Sequence, residues 1–176
     1  MTLDPLLDLV LRGTLAIVLV LAALHKLRDR ATFEGQLGGY DLLSASLIHP
    51  ASRAIPLSEL AVALFLLARS EHAAICGVVL FTGYGAAMAI NLLRGRREID
   101  CGCGGADGRQ QLHPALVIRN LLLALGAAAI SWPLDARALG WADYLIAAFA
   151  TLALVALYTG FNNAVAQVPA SARLKA

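Results

Sequence analysis

The stretch LLDLVLRGTLAIVLVLAAL, residues 6–24, is almost entirely apolar, with Asp8 and Arg12 as its charged residues. Its length approaches the roughly 20 residues with which an α-helix crosses the hydrocarbon core of a bilayer. Basic residues follow the run, from His25 to Arg30, whereas a signal peptide carries its positive charges in front of its apolar segment. The stretch therefore predicts a transmembrane helix, and a cleaved signal peptide is the disfavoured alternative.

The whole chain has the composition of an integral membrane protein. Of its 176 residues, 59% are hydrophobic and 15% are charged, and the mean hydropathy is +0.71. These values are too apolar for a soluble domain of this size, so the predicted surroundings are the lipid bilayer. The net charge of +2, with no basic run interleaved with aromatic residues, argues against nucleic-acid binding. Three cysteines are too few for a secreted scaffold built on disulfides.

Further apolar runs follow the first one, at residues 55–68, 73–93, 116–130 and 141–161. Residues 31–50 carry apolar side chains at spacings of three and four but are too polar to span, which predicts a helix on the membrane surface. Pro50 and Pro56 would then bracket the start of the next helix. Gly83 and Ala87, four residues apart, predict a close approach between helix backbones.

These runs predict an all-α fold: an integral membrane bundle of about five transmembrane helices. It would form a single domain over residues 1–165, with a short polar tail at 166–176. If the spans alternate in direction, Arg69 and Arg137 lie on one side, and the other side carries Lys26, Arg28, Arg30, Arg53, Arg94, Arg96, Arg97, Arg109, Arg173 and Lys175. Positively charged loops tend to remain cytoplasmic, so in the cell membrane we predict an outside N-terminus, a cytoplasmic C-terminus and a cytoplasmic loop at residues 100–105.

That loop, Asp100-Cys101-Gly102-Cys103-Gly104-Gly105, holds two of the three cysteines. Two thiols one residue apart in a glycine-rich segment can form a disulfide, bind a soft metal or exchange with the thiols of a partner. Nearby basic residues would stabilise a thiolate and lower its pKa, namely Arg94, Arg96, Arg97 and Arg119. A zinc site would need four ligands, and His113 is the one further candidate nearby, so the site is incomplete within one chain. The alternative is a pair of incidental loop thiols.

Polar residues inside the predicted spans gather at the same end of the bundle as this loop. They are Lys26, Glu59, Asn91, Arg119 and Asn120. Charged groups within a span usually face the bundle interior and have a partner, which makes Glu59 and Arg119 the natural pair. The alternatives are that Lys26 reaches out to the lipid headgroups and that Glu59 and Arg119 form a purely structural ion pair.

Two other features have structural interpretations. Asp8 and Arg12, four residues apart, are expected to form an ion pair on the first helix near the membrane interface. Cys76 lies near the far end of its span, remote from the cysteine loop, and is expected to be a small buried apolar residue.

The chain resembles the MauE family of methylamine utilisation membrane proteins, which belongs to the wider DoxX-like group. The resemblance covers about residues 8 to 160 and is carried by His25-Lys26-Leu27-Arg28-Asp29 with Phe33, Pro56-Leu57-Ser58-Glu59-Leu60, Arg94-Gly95-Arg96 with Ile99-Asp100-Cys101-Gly102-Cys103-Gly104, and Arg119-Asn120. It implies a bundle in which four helices form a DoxX-like core. It also implies thiol redox chemistry, in maturation of the disulfide-rich small subunit of methylamine dehydrogenase with a thioredoxin-like partner.

Two features depart from what the resemblance implies. Gly105 stands where many relatives are expected to carry an aromatic or other larger residue. The charge distribution also puts the cysteine loop inside, whereas maturation of an extracytoplasmic enzyme calls for exchange outside. Either the charge rule fails here, or electrons come from a cytoplasmic thiol pool, or the motif is reached through the bundle.

The leading hypothesis is a membrane thiol-disulfide redox protein in which Cys101 and Cys103 are the exchanging pair. Lys26 and Arg119 would tune the thiolate, and Glu59 would hold Arg119 or relay a proton. The residues establish no cofactor, although a quinone is conceivable by analogy with enzymes of the vitamin K epoxide reductase type. The alternatives are a non-catalytic transporter or assembly factor that binds a small ligand in the polar cluster, and metal handling through the two thiols.

Overall fold

The computed structural model describes residues 2–101 and 110–173, and within these ranges the chain forms six α-helices and no strand. They are α1 Pro5–Arg28, α2 Arg30–Tyr40, α3 Ala45–Leu67, α4 Ala73–Leu93, α5 Pro114–Ala129 and α6 Trp141–Arg173. In the described chain four helices are long and apolar enough to cross a membrane: α1, α3, α4, and α6 as far as Gln167. The apolar helix α5 is shorter, with 16 residues. The predicted all-α membrane bundle is confirmed.

Local hydrogen bonds explain where the first helices begin and end. The side chain of Asp4 accepts from the Leu6 amide at 2.7 Å, and Pro5 follows it at the first helical position, so α1 starts there. At the other end the Asp29 amide donates to the His25 carbonyl, and the Asp29 carboxylate accepts from the Thr32 amide at 3.1 Å. The hydrogen bonds from Thr32 lower the pKa of Asp29 below its ordinary value. One residue thus ends α1 and starts α2.

The boundary between α2 and α3 differs from the prediction. The surface helix ends at Tyr40, and α3 begins at Ala45 and continues through Pro50 and Pro56. Proline is tolerated inside spanning helices where neighbouring helices and hydroxyl side chains stabilise the freed backbone. Pro50 and Pro56 remove the N–H partners of the Ser46 and Ser52 carbonyls. The Ser52 hydroxyl bonds other groups, the His49 carbonyl and a Glu34 oxygen on α2, both at 2.8 Å, and so fastens α3 to α2.

A longer α3 changes the depth of its acidic residue. Glu59 was expected near the start of the second span, but α3 begins at Ala45. At 1.5 Å per residue the carboxylate is carried by a position roughly 21 Å along the helix. Glu59 therefore lies well inside α3 and is fully buried.

The buried core joins α1, α3, α4 and α5. Its largest members are Leu15, Leu19, Leu66 and Phe81, with less than 4% of each side chain exposed. Helix α6 packs on the outside of this four-helix core, along α1, where a Cβ placed on Gly13 would lie 3.2 Å from the hydroxyl of Thr151.

Close helix approach occurs at a different glycine from the predicted one. A Cβ on Gly77 would lie 3.0 Å from the Cβ of Ala127, so α4 and α5 are closest there. At Gly83 the same construction finds nothing within 4 Å. The prediction of close packing at Gly83 is wrong, and the space beside it belongs to a cavity described below.

The connections define two faces of the bundle. On the first face, the Leu3 amide donates to the Pro133 carbonyl at 2.8 Å and the Leu3 carbonyl accepts from Asp135 at 2.9 Å, so the start of α1 meets the α5–α6 connection. Because the long helices alternate in direction, the second face carries the end of α1, helix α2, residues 94–101 and 110–113, and the end of α6.

On the first face, Asp8 and Arg12 form the expected ion pair, at 2.8 Å. Asp8 is completely buried, and its other oxygen also pairs with Arg69, at 3.1 Å, from the α3–α4 connection. Arg12 further donates to the Leu66 carbonyl at 3.4 Å. This group therefore fastens α1 to the end of α3. Cys76 is half-buried and packs against the core, in line with its expected apolar role.

Candidate functional site

An ion pair lies inside the bundle toward the second face. Lys26, in the last turn of α1, places Nζ 2.5 Å from Oε1 of Glu59 on α3. Tyr84 on α4 donates its hydroxyl to the same oxygen at 2.8 Å. The ammonium group also lies over the rings of Phe33 and Tyr84, 5.6 and 5.3 Å from their centres. Lys26 is 5% exposed, so the interpretation in which it reaches out to the headgroups is wrong.

Arg119 on α5 belongs to a neighbouring polar group. Its Nη1 donates to the side-chain oxygen of Asn162 on α6 at 2.5 Å, and its guanidinium lies 5.4 Å from the ring centre of Tyr158. The sequence predicted Glu59 as its partner; the structure places the Lys26 ammonium against that carboxylate. Asn162 was not predicted from the sequence, although the pair Asn162-Asn163 at the end of the last apolar run was a signal for it.

The two predicted asparagines have different surroundings. Asn120 donates to the Leu116 carbonyl at 2.8 Å and lies 3.6 Å from the sulfur of Met88. Asn91 donates to the Ala87 carbonyl at 3.2 Å, and its buried side-chain oxygen has no hydrogen-bond partner among the described residues. Asn91 is absent from the linings of the two cavities described next, so it stands apart from the other four.

The other four predicted supporting residues line a cavity of about 250 Å³, which we call the polar cavity. Lys26, Glu59, Arg119 and Asn120 all contribute to its wall, together with Tyr84. Four of the five supporting residues predicted from the sequence therefore line one cavity. Further polar lining comes from His25, Tyr158, Thr159, Asn162 and Asn163.

Cys101 is held in place by the chain on both sides of the cysteine loop. Its amide donates to the Gln110 carbonyl at 2.8 Å, and the Leu112 amide donates to the Ile99 carbonyl at 3.1 Å, so the two ends of the loop lie side by side. The Tyr40 hydroxyl of α2 donates to the Cys101 carbonyl at 3.1 Å. Cys101 is 6% exposed. Cys103, predicted as its redox partner, lies outside the described residues, and so does Gly105.

Polar contacts connect this cysteine to Asn162, whose backbone carbonyl accepts from Gln110 and whose side-chain oxygen accepts from Arg119. The Cys101 thiol lies 3.3 Å from the side-chain oxygen of Gln110, whose nitrogen donates to the Asn162 carbonyl at 3.0 Å. Gln110 is 1% exposed. Gln110 was not predicted, because a lone glutamine beside a loop becomes informative only when the end of α6 is known to contact it.

A second cavity, of about 370 Å³, lies between α2, α3 and α4; we call it the lateral cavity. Cys101 and Lys26 both line it, together with Tyr40 and Gly83. Lys26 and Tyr84 line the polar cavity as well, so they stand between the two spaces. The structure therefore brings a cysteine of the predicted pair and a buried cation to one cavity.

The basic residues before the loop lie at the surface. Arg96 pairs with the Asp41 carboxylate at 3.3 Å, and Arg94 donates to the Asp41 carbonyl at 3.4 Å. Both contacts join the chain after α4 to the turn that follows α2. Across residues 2–101 and 110–173, no group of three or more His, Cys, Asp or Glu side chains is arranged to hold a metal ion.

Comparison with known proteins gives matches over most of the chain. The family profile described as methylamine utilisation protein MauE matches residues 4–133, which include α1 to α5. Similar proteins, each called methylamine utilization protein MauE, occur in Paracoccus denitrificans (37% identical, 76% of this chain and 73% of the relative) and Methylorubrum extorquens (35% identical, 88% and 86%). A third, from Methylophilus methylotrophus, is 38% identical over 57% of this chain and 54% of its own. No solved structure matches the chain.

Proposed function

Because the chain belongs to the family of the methylamine utilisation protein MauE, a family of multi-pass membrane proteins, we propose that it is a membrane thiol-disulfide redox protein. Cys101 and Cys103 form the exchanging pair. The observation that supports the proposal is that Cys101 is buried among polar groups: its thiol donates to Gln110 at 3.3 Å, and the residue lines the same cavity as Lys26. An incidental loop thiol would need no such surroundings.

The chemistry is exchange between two thiols and a disulfide. A thiolate of the reduced pair attacks a disulfide of the partner, a mixed disulfide forms, and the second cysteine displaces the partner's reduced thiols while the pair closes to a disulfide. The reverse sequence reduces the pair. Lys26 lines the same cavity as Cys101 and contributes positive charge there, which favours the thiolate, with Arg119 at the neighbouring polar cavity. The Gln110 oxygen accepts from the protonated thiol, so this hydrogen bond breaks when the thiolate forms.

The partner we propose is a thioredoxin-like protein, and the process is maturation of the disulfide-rich small subunit of methylamine dehydrogenase. In the proposed orientation the N-terminus is outside and the C-terminus is cytoplasmic, which makes the second face cytoplasmic. This follows from the excess of Lys and Arg in the connections of that face. Electrons are then exchanged with a cytoplasmic thiol pool.

Cysteine variants test the proposal. Cys101→Ser and Cys103→Ser should each abolish exchange with a thioredoxin-like protein, and one of them should accumulate a mixed disulfide that is visible on a non-reducing gel. Cys76→Ser is the matched control, since Cys76 packs against the core and should leave exchange unchanged. Full exchange in both loop variants would refute the redox function.

Sidedness is measured in the same cells. In the Cys76→Ser background, a membrane-impermeant maleimide should leave the loop cysteines unlabelled in intact cells and label them, after reduction, in lysed cells. Labelling in intact cells would reverse the proposed orientation, and it would leave the redox assignment to the cysteine variants.

A second candidate is a non-catalytic transporter or assembly factor that binds a small ligand. The polar cavity favours it, because about 250 Å³ lined by two cations and a carboxylate is suited to a small polar molecule. Under this function the two loop cysteines are dispensable, whereas Arg119→Leu abolishes activity. The cysteine variants therefore separate the two candidates.

A further inference from the structure

The lateral cavity is elongated and apolar. Along α4 its lining extends from Val79 to Met88, which at 1.5 Å per residue is roughly 13 Å. Leucine and isoleucine side chains cover much of the wall, namely Leu37, Leu42, Leu43, Ile55 and Leu80. Val79 is 67% exposed on the outer surface of the bundle, and Gly83 is exposed beside it. The cavity therefore opens sideways toward the hydrocarbon of the bilayer.

Its two ends differ in chemistry. Val79 marks the apolar end, in the first half of α4. At the other end Cys101 packs with Met88 in one buried cluster, and Tyr40 lies beside them. Lys26 and Tyr84 contribute polar groups between the ends. A ligand that fits this cavity has a small polar head near Cys101 and an apolar tail directed toward lipid.

The electrostatics favour a neutral head. The Lys26 ammonium is already paired with Glu59 at 2.5 Å, so an anionic headgroup would gain little from it. The same ammonium has further N–H groups with which to donate to a neutral carbonyl oxygen. A phospholipid, with its phosphate and two chains, matches this cavity less well than a ring that carries carbonyl groups and one tail.

We propose that the lateral cavity binds a lipid-soluble quinone that exchanges two electrons with the cysteine pair. This inference rests on the proposed thiol-disulfide function and names its membrane reactant. In the oxidising direction, the thiols of Cys101 and Cys103 lose two protons and two electrons, and a sulfur-sulfur bond forms. The quinone takes up both electrons and both protons and leaves as quinol. Lys26 donates a hydrogen bond to the ring oxygen on which negative charge develops.

Gly83 offers a way to fill the cavity without disturbing the fold, because a Cβ there would meet nothing within 4 Å. Gly83→Phe should place a ring inside the cavity. The matched control is Gly160→Phe, on α6, where a Cβ also meets nothing within 4 Å and which lines neither cavity. Ala87→Leu, one turn further along the same wall, serves as a second filling variant if Gly83→Phe does not fold.

The experiment uses the full chain in nanodiscs, with reduced thioredoxin as the electron donor and decyl-benzoquinone as the probe. Quinol formation should depend on both loop cysteines and fall at least tenfold in Gly83→Phe, while Gly160→Phe stays within twofold of the parent. Exchange with thioredoxin alone should stay within twofold of the parent in Gly160→Phe, and in Gly83→Phe it should fall by less than quinol formation does.

Each outcome has a distinct meaning. If the parent exchanges thiols but produces no quinol, the quinone site is refuted and the proposed function stands. If the parent forms quinol and both cavity-filling variants keep the parent's rate, the quinone does not use the lateral cavity. If neither reaction occurs in the parent, the thiol-disulfide function itself is refuted.

Discussion

Removal of the buried carboxylate should strongly destabilise the protein. Glu59 is fully buried and lies 2.5 Å from the Lys26 ammonium, so Glu59→Leu leaves a cation in the bundle interior without its ion-pair partner. Breaking a buried pair by removal of one partner costs about 3–5 kcal/mol. Tyr84 also loses its acceptor, since its hydroxyl donates to the same carboxylate. We therefore expect the free energy of unfolding to fall by at least about 3 kcal/mol.

The double variant Lys26→Met with Glu59→Leu distinguishes the interaction energy of the ion pair from the effects of the two single substitutions. Two apolar side chains of similar length fill the same volume without a buried charge, and such replacements are often close to neutral. The double variant should therefore be more stable than the sum of the single effects predicts, by about 2 kcal/mol or more.

The measurement is reversible unfolding in mixed detergent micelles, followed by far-ultraviolet circular dichroism. The control is Arg96→Gln, which removes an ion pair with Asp41 at the surface, where the side chains are 39% and 74% exposed. This variant should change stability by less than about 1 kcal/mol. Additive single effects at Lys26 and Glu59, or a Glu59→Leu cost no larger than that of the control, would refute the reasoning.

Three further changes have defined outcomes. Gln110→Ala removes the acceptor of the Cys101 thiol and should lower the free energy of unfolding by about 1–3 kcal/mol. The control Gln111→Ala, at a neighbouring and less buried side chain, should lower it by under about 0.5 kcal/mol. Equal losses would contradict a stabilising role for the Gln110 hydrogen bonds. Gly77→Val places a Cβ 3.0 Å from a methyl group on α5 and should lower the unfolding midpoint, with a cost of about 1–3 kcal/mol; an unchanged midpoint would show that the helices separate freely. The hydrogen bond from Ser52 lowers the pKa of Glu34, so this contribution to stability is complete above pH of about 4.5 and is lost as the pH falls through the folded-state pKa. Ser52→Ala should therefore weaken the loss of thermal stability below pH of about 4.5, and an unchanged pH profile would contradict the assignment.

The sequence was sufficient for the fold class because the apolar runs carry most of that information. Residues 6–24 predicted a span, and α1 is Pro5–Arg28. The boundary at Ala45 could not be predicted in the same way. Pro50 and Pro56 normally argue against a helix interior, and the Ser52 contacts that accompany them depend on α2 being in place.

The candidate site was predictable as a group, whereas the contact between Lys26 and Glu59 was not predicted. Alternating helices bring Lys26, Glu59 and Arg119 to one end of the bundle, and the structure places all three on the polar cavity. Which cation faces the carboxylate depends on helix rotation and depth, and α3 extends further than its apolar run. Gln110 and Asn162 could not be predicted as contacting residues, because they are 52 residues apart in the sequence and meet only once the end of α6 is placed.

The ion pair between Lys26 and Glu59 also has a thermodynamic consequence. Lys26 and Tyr84 line both cavities. A ligand in one cavity that reorients the Lys26 ammonium therefore changes the hydrogen bonds that this group can donate in the other cavity. Thermodynamic linkage makes this effect reciprocal. If a ligand in one cavity changes the affinity of the other cavity by some factor, a ligand in that other cavity changes the affinity of the first by the same factor. Occupancy of the lateral cavity therefore changes the affinity of the polar cavity for its own ligand.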